Sequence, residues 1–328
     1  MTLLHELSNP TTPMNLPIFQ RLAESKTVLL AGAGGGYDLF AGLPVLHWLL
    51  HRGKRVHLAN LTFSDLRYED CERPVPALAR ITPDSHGSAS HCPELHLSRW
   101  LSDQFGTMPI YLLERTGVAP VITAYRWLAE ELRPDAIVLV DGGTDILMRG
   151  DEVGLGTPQE DMASLMAVSE LNAVPDRFVL SVGFGVDAFH GVCHAHVLEN
   201  IAALTADDGF LGSWSLLKQS AEFAFYRAAC DYVASRLPKH PSIVNTSIID
   251  ATTGWFGNHH GTKRTEGSEL FINPLMSLYW AFTVESVARR NLYLDRIKQT
   301  TSYPELTLAI EVIHNQQPNL RQWRDIPC

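Results

Sequence analysis

Residues 27–44, TVLLAGAGGGYDLFAGLP, constrain the possible folds of this chain more than any other stretch. The apolar run at 27–31 is typical of a buried β-strand, 32–38 form a glycine-rich turn, and 39–51 have the length and apolar content of a helix. In such a unit the glycines allow close approach of the backbone, and the amides at the helix start carry partial positive charge. The sequence therefore predicts an anionic small molecule at this turn. A turn with a purely structural role is the alternative.

The glycine pattern departs from that of standard dinucleotide sites. Gly32, Gly34 and Gly36 occupy alternate positions, and Tyr37 stands where the third glycine of a Gly-x-Gly-x-x-Gly fingerprint belongs. Such a site also uses an acidic residue near the end of the second strand, but the predicted strand ends in Asn60. The sequence thus does not support a standard NAD site.

Composition and charge exclude several classes of partner. The 328 residues are 45% hydrophobic, which is enough for a large core. Lys plus Arg total 26 against 36 for Asp plus Glu, and with a formal charge of -10 and no long basic cluster we expect no nucleic acid partner. No apolar run suits a membrane helix or a signal peptide, so no membrane partner is expected. Five cysteines without close pairs indicate reduced thiols and a cytoplasmic location.

Strands and helices are predicted to alternate along most of the chain. The predicted strands lie at 27–31, 55–61, 110–114, 136–140, 177–182 and 242–249. The predicted helices lie at 16–25, 39–51, 118–132, 158–171, 194–205, 215–236 and 275–291. This pattern predicts an α/β, Rossmann-like fold, with a mainly parallel sheet, helices on both faces and a helix-rich C-terminal third.

The predicted domain organisation is simple. We expect an N-terminal arm at 1–26 and a single Rossmann-like domain at 27–328. Residues 64–95 interrupt the alternation with prolines, charges and small polar residues. A segment of this length without secondary structure is uncommon in a compact domain, so it forms either a cover over the ligand pocket or a disordered loop.

Four of the predicted strands are followed by loops of unusual composition, at 32–38, 141–145, 183–190 and 250–264. In an open parallel sheet, ligands bind outside the carboxyl ends of the strands, where the strand order reverses. We therefore expect one shared site. The predicted ligand-binding residues come from the first three loops: Gly32, Gly34, Gly35, Gly36, Tyr37, Asp38, Gly142, Gly143, Thr144, Gly183 and Gly185.

The aspartates of these loops carry more than one interpretation. Asp38 is suited either to catalysis or to capping the helix that follows it. Asp141 directly follows an apolar strand, where an unpaired charge is costly, and Asp145 ends the same short loop. Two such carboxylates suit ribose hydroxyls, a divalent cation, or separate acid and base roles.

Histidines supply the remaining predicted chemistry. His190 and His194 are four residues apart and follow Asp187, and His259 and His260 lie in the fourth loop. We predict catalytic roles for Asp141, Asp145, Asp187, His190 and His260, and a metal site at His190, His194 and His259. An imidazole cluster that binds phosphate or transfers protons is the alternative to the metal site. Lys263 and Arg264 would supply counter-charge for an anion.

Three motifs resemble a bacterial and archaeal family known as domain of unknown function family 1152. They are AGAGGGYD at 31–38, DGGTD at 141–145 with MRGDE at 148–152, and GFGVD at 183–187. The resemblance implies a Rossmann-like fold and a site shared by the three loops. A weaker resemblance, at 32–34 and 42–44, is to sirtuin-type and deoxyhypusine-synthase-type NAD-binding proteins. The chain lacks their spacing and the paired cysteines of a zinc ribbon, so deacylase chemistry is not expected.

Together these features predict an enzyme that binds a nucleotide or phosphorylated small molecule and catalyses hydrolysis or group transfer. The cofactor is left open between a nucleotide and a divalent metal. A non-catalytic nucleotide sensor and a metal-dependent hydrolase centred on the histidines are the alternatives. We expect a homodimer, for which Trp280 and Phe282 are candidate surface residues, although such aromatics more often belong to a core.

Overall fold

A computed structural model describes residues 16–66, 71–86 and 92–326. Its strands, in chain order, are β1 (Thr27–Gly32), β2 (Arg55–Thr62), β3 (Glu72–Val75), β4 (Leu78–Ile81), β5 (Ile110–Glu114), β6 (Ala136–Asp141), β7 (Asp176–Ser181), β8 (Phe210–Ser215), β9 (Gly257–Asn258), β10 (Phe271–Ile272) and β11 (Leu278–Thr283). In the described part of the chain, nine of them form one sheet in the order β3-β4-β5-β2-β1-β6-β7-β11-β8, and β9 pairs with β10 separately.

The centre of the sheet is parallel and places the strand order reversal beside β1. Strands β5, β2, β1, β6 and β7 pair in parallel, while the outer strands on both sides pair antiparallel. From β1 the chain first builds the sheet towards β2 and β5, and then returns to the opposite side of β1 with β6. The loops after β1 and β6 therefore leave the sheet side by side, where ligands of this fold class bind. The predicted α/β class and mainly parallel sheet are confirmed.

Helices cover both faces of the sheet. In chain order they are α1 (Pro17–Glu24), α2 (Asp38–Ala41), α3 (Leu43–Leu50), α4 (Pro93–Phe105), α5 (Val118–Leu132), α6 (Pro158–Ser169), α7 (His194–Ala206), α8 (Ala221–Arg236), α9 (Ile243–Thr253), α10 (Val284–Arg290), α11 (Leu294–Ile297) and α12 (Tyr303–Asn315). Along β1, Leu29 and Ala31 belong to one hydrophobic core, and Val28 and Leu30 to the other, because successive strand residues point to opposite faces. Helices α5, α6, α10 and α12 pack into the first core and α1, α3, α4 and α8 into the second.

The described part of the 64–95 segment is mainly an extension of the sheet. Strands β3 and β4 form a hairpin, and β4 pairs antiparallel with β5 from Leu78 to Ile81. These residues therefore form strands that the sequence did not predict, and a cover over the ligand pocket stays a prediction for the segment. Ser64 and Pro93, near the two ends of the segment, line the cavity described below.

Two predicted elements in the C-terminal half are wrong. The predicted strand at 242–249 is the start of helix α9, which the Ser242 hydroxyl caps by accepting from the Asn245 amide at 3.1 Å. The predicted helix at 275–291 contains strand β11, which lies between β7 and β8. A strand buried on both faces has a continuous apolar sequence that periodicity does not distinguish from a buried helix. The predicted helix at 215–236 begins only at Ala221.

Strand β11 also decides the role of two aromatics. Trp280 and Phe282 are 6% and 0% exposed, so they belong to the core and do not form the suggested dimer surface. Among the described residues, no helix is both long and apolar enough to cross a membrane.

Candidate functional site

A cavity of about 450 Å³ opens at the carboxyl ends of the central parallel strands. Its walls combine the turn after β1, the loop after β7 and side chains from several helices and loops. Among the residues that line it are Gly35, Gly36, Tyr37, Asp38, Phe63, Arg115, Glu160, Asp187, His190, Ser242, Arg264 and Tyr303. Three of the four predicted loops thus contribute directly, the last of them only through Arg264, and the DGGTD loop lies immediately beneath the cavity.

The turn after β1 is held by side chains from the neighbouring strand and helix. Asn60, at the end of β2, donates to the Gly36 carbonyl at 2.9 Å and to the buried Glu94 carboxylate at 2.8 Å. Its side-chain oxygen accepts from the Leu39 amide at 3.3 Å. Asn60 therefore fixes the shape of the turn, which explains why an asparagine occupies the position expected for a ribose-binding acid.

The predicted phosphate cradle at Gly34 to Gly36 is largely occupied by the protein itself. The Gly34 amide donates to Asp38 Oδ2 at 2.6 Å, and the Gly36 amide donates to the Leu61 carbonyl at 3.1 Å. Asp38 is the first residue of α2, which is only four residues long, and its side chain does not cap this helix. The Gly34 and Gly36 amides already donate to protein oxygens, one of which belongs to a carboxylate. These two amides are therefore not available to a phosphate, contrary to the expectation for this turn. The centre of the site is acidic.

The DGGTD loop lies beneath the cavity with both of its carboxylates buried. Asp141 and Asp145 are 3% and 4% exposed. Asp141 accepts from the Ile146 amide at 3.3 Å, and Asp145 accepts from the Thr157 amide at 2.8 Å and the Thr157 hydroxyl at 3.1 Å. Thr157 directly precedes helix α6, but its hydroxyl donates to Asp145 and does not cap the helix. The helix start is thereby tied to the site.

The loop after β7 joins the DGGTD loop through Asp187. Its carboxylate accepts from the Thr144 amide at 2.7 Å, and a Cβ at Gly143 would lie only 2.7 Å from the same oxygen. The short 3₁₀ turn from Val186 to His190 then places Asp187 and His190 on the cavity wall. Gly142, Gly143 and Thr144 therefore support the carboxylates and do not line the cavity themselves.

Helix α6 brings two acids to the site that the sequence analysis did not assign to it. Its residues are almost all buried, and among them are Glu160 and Asp161 in the first turn. Asp161 is 2% exposed, and its Oδ1 has no hydrogen-bond partner among the described residues. This oxygen would lie 2.6 Å from a Cβ at Gly34. The sequence signal for these acids was their place in a helix without a polar face. Such a helix is buried on all sides, so its acidic side chains are buried with it.

Burial and mutual repulsion perturb the aspartates strongly. Burial, with added repulsion from Asp145 and Glu160, raises the pKa of Asp38 to about 8 against the opposing hydrogen bond from the Gly34 amide. Burial and neighbouring carboxylates raise the pKa of Asp141, Asp161 and Asp187 well above the ordinary range: these three share one site. Perturbed acids gathered at a cavity are a physical signature of functional sites.

Positive charge is confined to the outer part of the cavity. The Arg115 guanidinium lies 4.5 Å from the ring centre of Tyr303 and 5.3 Å from that of Phe63, and its Nη1 is 3.9 Å from Glu160. Arg264 donates to the Pro241 carbonyl at 2.8 Å. Both arginines line the cavity, and each guanidinium has further donors. A ligand here would meet both guanidinium groups and carboxylates.

The structure does not bring the predicted metal-binding histidines together. His190 lines the main cavity, whereas His194 lines a different cavity and lies against Phe184 and Trp323. His259 stacks on Trp255 at 4.0 Å. Within the described ranges, the single group of three or more potential metal ligands consists of Asp38, Asp141 and Asp161, without a histidine. The prediction of a histidine metal site is therefore wrong.

Four further predicted residues lie outside the cavity. His260 contacts the Thr265 hydroxyl at 2.9 Å. The predicted loop at 250–264 comes at the end of a helix and not after a strand, and it contributes only Arg264 to the cavity. Gly183 and Gly185 have φ values of +93°, which explains their place in the turn after β7. A Cβ at Gly32 would lie 2.0 Å from Asn60 Oδ1, so this glycine allows the close packing of β1 and β2.

The residues that sequence reasoning missed come from positions without a local motif. Arg115 directly follows β5, and a charged residue at the carboxyl end of a parallel strand was a usable signal. Tyr303 and Phe63 reach the cavity through tertiary packing, for which the sequence gives no signal.

A model of the family described as "Protein of unknown function (DUF1152)" matches residues 29–313. Neither the curated proteins nor the solved structures give a match to this chain.

Proposed function

The chain belongs to the DUF1152 family, whose description names no activity, and from its site we propose an enzyme acting on a nucleotide-like or phosphorylated small molecule. The proposed reaction is hydrolysis or group transfer. The observation that carries the proposal is the cavity itself, a volume of about 450 Å³ whose lining combines cationic side chains with perturbed carboxylates. Pockets of this size hold small molecules, and few polar groups are needed to orient them.

The polarity of the cavity supports an orientation for the ligand. Arg115 and Arg264 are suited to the phosphate, because guanidinium groups form charge-assisted and bidentate hydrogen bonds with phosphate oxygens. The rings of Tyr303 and Phe63 hold Arg115 and offer apolar surface for a base or sugar. The reacting end of the ligand would then face Asp38 and the loop after β7.

His190 and Asp187 are the proposed groups for proton transfer. Both line the cavity, and they lie within one short turn fixed to the DGGTD loop by Asp187. In hydrolysis or transfer, one of them removes the proton from the attacking water or hydroxyl as its oxygen bonds to the substrate, and the bond between the substrate and the leaving group breaks. The other donates a proton to the leaving group, which departs with the electron pair of that bond.

A paired binding and turnover experiment tests this proposal. Wild-type protein is screened by thermal shift against nucleotides, sugar phosphates and inorganic phosphate, and positive compounds are assayed for release of phosphate or base. We expect His190→Ala to retain the thermal shift but to lower turnover about 10²- to 10⁴-fold, the range for loss of a general acid or base. His194→Ala is the matched control, because His194 lies four residues away and outside the cavity.

The outcomes separate the alternatives. Turnover that is unchanged in both His190→Ala and Asp187→Asn contradicts the proposed roles. A wild-type protein that binds a ligand through Arg115 but never turns it over is a non-catalytic sensor, and the enzymatic proposal then fails.

A cytoplasmic location and a homodimer stay predictions, the first supported by the free thiols of Cys193 and Cys230.

A further inference from the structure

Three carboxylates from different parts of the chain meet beneath the cavity. Asp38 follows the glycine turn, Asp141 ends β6, and Asp161 lies in the first turn of α6. One oxygen from each lies within 4.8 Å of the other two. No ion pair joins any of the three to another residue that the structure describes, and the contacts of Asp38 and Asp141 are hydrogen bonds from backbone amides.

Asp161 is the member of this group that protein contacts leave unexplained. Its Oδ1 is buried and lacks a hydrogen-bond partner within the described ranges, although buried carboxylates are normally paired or bound to metal. The oxygen faces Gly34: a Cβ there would lie 2.6 Å from Asp161 Oδ1 and 2.7 Å from Asp38 Oδ2. The missing side chain of Gly34 therefore leaves space beside both oxygens.

We propose that Asp38, Asp141 and Asp161 bind one divalent cation that prefers oxygen ligands, of the Mg²⁺, Mn²⁺ or Ca²⁺ class. Three carboxylates supply an all-oxygen set, which suits these ions better than zinc, whose protein sites are dominated by Cys and His. The separations fit as well. Opposite ligands of Mg²⁺ lie about 4.2 Å apart and those of Ca²⁺ about 4.8 Å apart, given their usual bond lengths.

The two remaining aspartates are suited to support this ion and not to bind it directly. Asp145 is fixed by the amide and hydroxyl of Thr157, and Asp187 by the Thr144 amide. Their negative charge adds to the attraction for a cation while their positions are held by the backbone. Such outer groups orient the direct ligands of many metal sites.

Only the role of the ion rests on the proposed function. Beneath a cavity lined by two arginines, a divalent cation would bind oxygens of a phosphorylated ligand and offset the repulsion between phosphate and carboxylates. The binding of the ion is independent of any substrate and can be measured without one.

Manganese titration tests the site directly. Full-length protein is treated with EDTA, exchanged into metal-free buffer and titrated with MnCl₂, and free Mn²⁺ is measured by electron paramagnetic resonance. We expect one bound Mn²⁺ per chain, displaced by excess Mg²⁺ or Ca²⁺. Loss of a supporting group alone weakens metal sites roughly 10- to 100-fold, so Asp161→Asn should weaken binding at least about tenfold.

Asp250→Asn provides the matched control. Asp250 Oδ2 is also buried and lacks a hydrogen-bond partner in the described residues, but it lies 3.4 Å from His259 Nε2 and outside the carboxylate group. Its substitution should leave Mn²⁺ affinity unchanged. Far-UV circular dichroism establishes that each variant is folded, and Asp141→Asn replaces Asp161→Asn if the latter does not fold.

Two results would overturn the inference: no Mn²⁺ bound by folded wild-type protein, or equal Mn²⁺ affinity in wild type and the folded aspartate variant. Either can occur while nucleotides or phosphates still bind and react, in which case the inference alone fails. Mn²⁺ binding at this site without any ligand binding or turnover would instead leave the ion site standing and contradict the proposed function.

Discussion

At the scale of single residues, the site is defined by glycines that leave room for carboxylate oxygens. A Cβ at Gly34, Gly142 or Gly143 would lie 2.6 to 2.9 Å from the nearest aspartate oxygen. Since real Cβ atoms do not approach an oxygen so closely, each glycine allows an aspartate to lie against the backbone. The carboxylates can therefore gather more closely than their charges alone would favour.

The pH dependence of stability follows from this crowding. In metal-free protein the folded pKa of Asp38 is about 8, above its ordinary value of 3.8, so the folded state holds a proton that the unfolded chain has lost. This contribution is complete below pH 4 and is lost as the pH rises to about 8. Between pH 5.5 and 8 we expect the free energy of unfolding to fall less steeply for Asp38→Asn than for wild type.

Urea denaturation at several pH values measures this difference. One proton changes the slope by at most about 1.4 kcal/mol per pH unit. Saturating Mg²⁺ should reduce the slope in wild type if the cation replaces the proton. Identical slopes for wild type and Asp38→Asn in metal-free buffer would contradict the perturbed pKa of this group.

At the scale of secondary structure, helix α9 shows how an element far along the chain supports the glycine turn. Asn245, in its first turn, donates to the Tyr37 carbonyl at 3.1 Å and to the Ser242 hydroxyl at 2.8 Å. The Tyr37 hydroxyl in turn donates to the His240 carbonyl at 2.8 Å. The start of α9 therefore closes one side of the cavity, which Ser242 also lines.

Removal of the Ser242 cap should affect both stability and the site. We expect Ser242→Ala to lower the free energy of unfolding by about 1 kcal/mol, the usual cost of losing an N-cap, as measured by urea denaturation. Ser220→Ala is the matched control, because Ser220 caps α8 in the same way, accepting from the Phe223 amide at 3.1 Å, but does not line the cavity. Ligand affinity should change in the first variant only. Equal ligand affinities in the two variants would show that the start of α9 does not support the site.

At the scale of the whole molecule, the MRGDE motif joins the sheet body to the C-terminal segment. Glu152 is fully buried and accepts from the Arg149 and Gly150 amides, from Asn200 and from Arg321. Arg321 also binds Asp151 at 2.7 Å. The motif that helped to identify the family is therefore a structural clamp and lies outside the cavity.

Loss of the clamp should destabilise the fold without removing any cavity residue. We expect Arg321→Met to lower the free energy of unfolding by on the order of 3 kcal/mol, because it leaves the buried Glu152 charge without its cation. Arg324→Met is the control, since Arg324 pairs with Glu199 at the surface and such pairs contribute about 0–1 kcal/mol. Urea denaturation compares the two. A loss in Arg321→Met no larger than in Arg324→Met would show that the C-terminal segment is not fixed by this contact.

Local sequence patterns correctly predicted the parallel core of the sheet and the meeting of the loops after β1, β6 and β7 at one edge. Apolar runs ending in glycine and aspartate mark the ends of β1 and β6, and the carboxyl ends of parallel strands must meet at one edge. The same patterns failed for β11 and α9. The apolar sequence of β11 fits a helix or a strand, and the β-branched residues of α9 favour a strand unless the Ser242 cap is recognised.

The sequence alone determined the fold class, the family motifs and the convergence of three loops, because these follow from periodicity and from glycine and aspartate at strand ends. Only the tertiary structure decided that Asp161 joins Asp38 and Asp141, that Arg115 lines the same cavity as Asp38, and that the histidines separate. Local patterns act within a few residues. The distance between two charged residues depends on how helices such as α6 pack against the sheet. No local pattern in the sequence between the two residues encodes that distance.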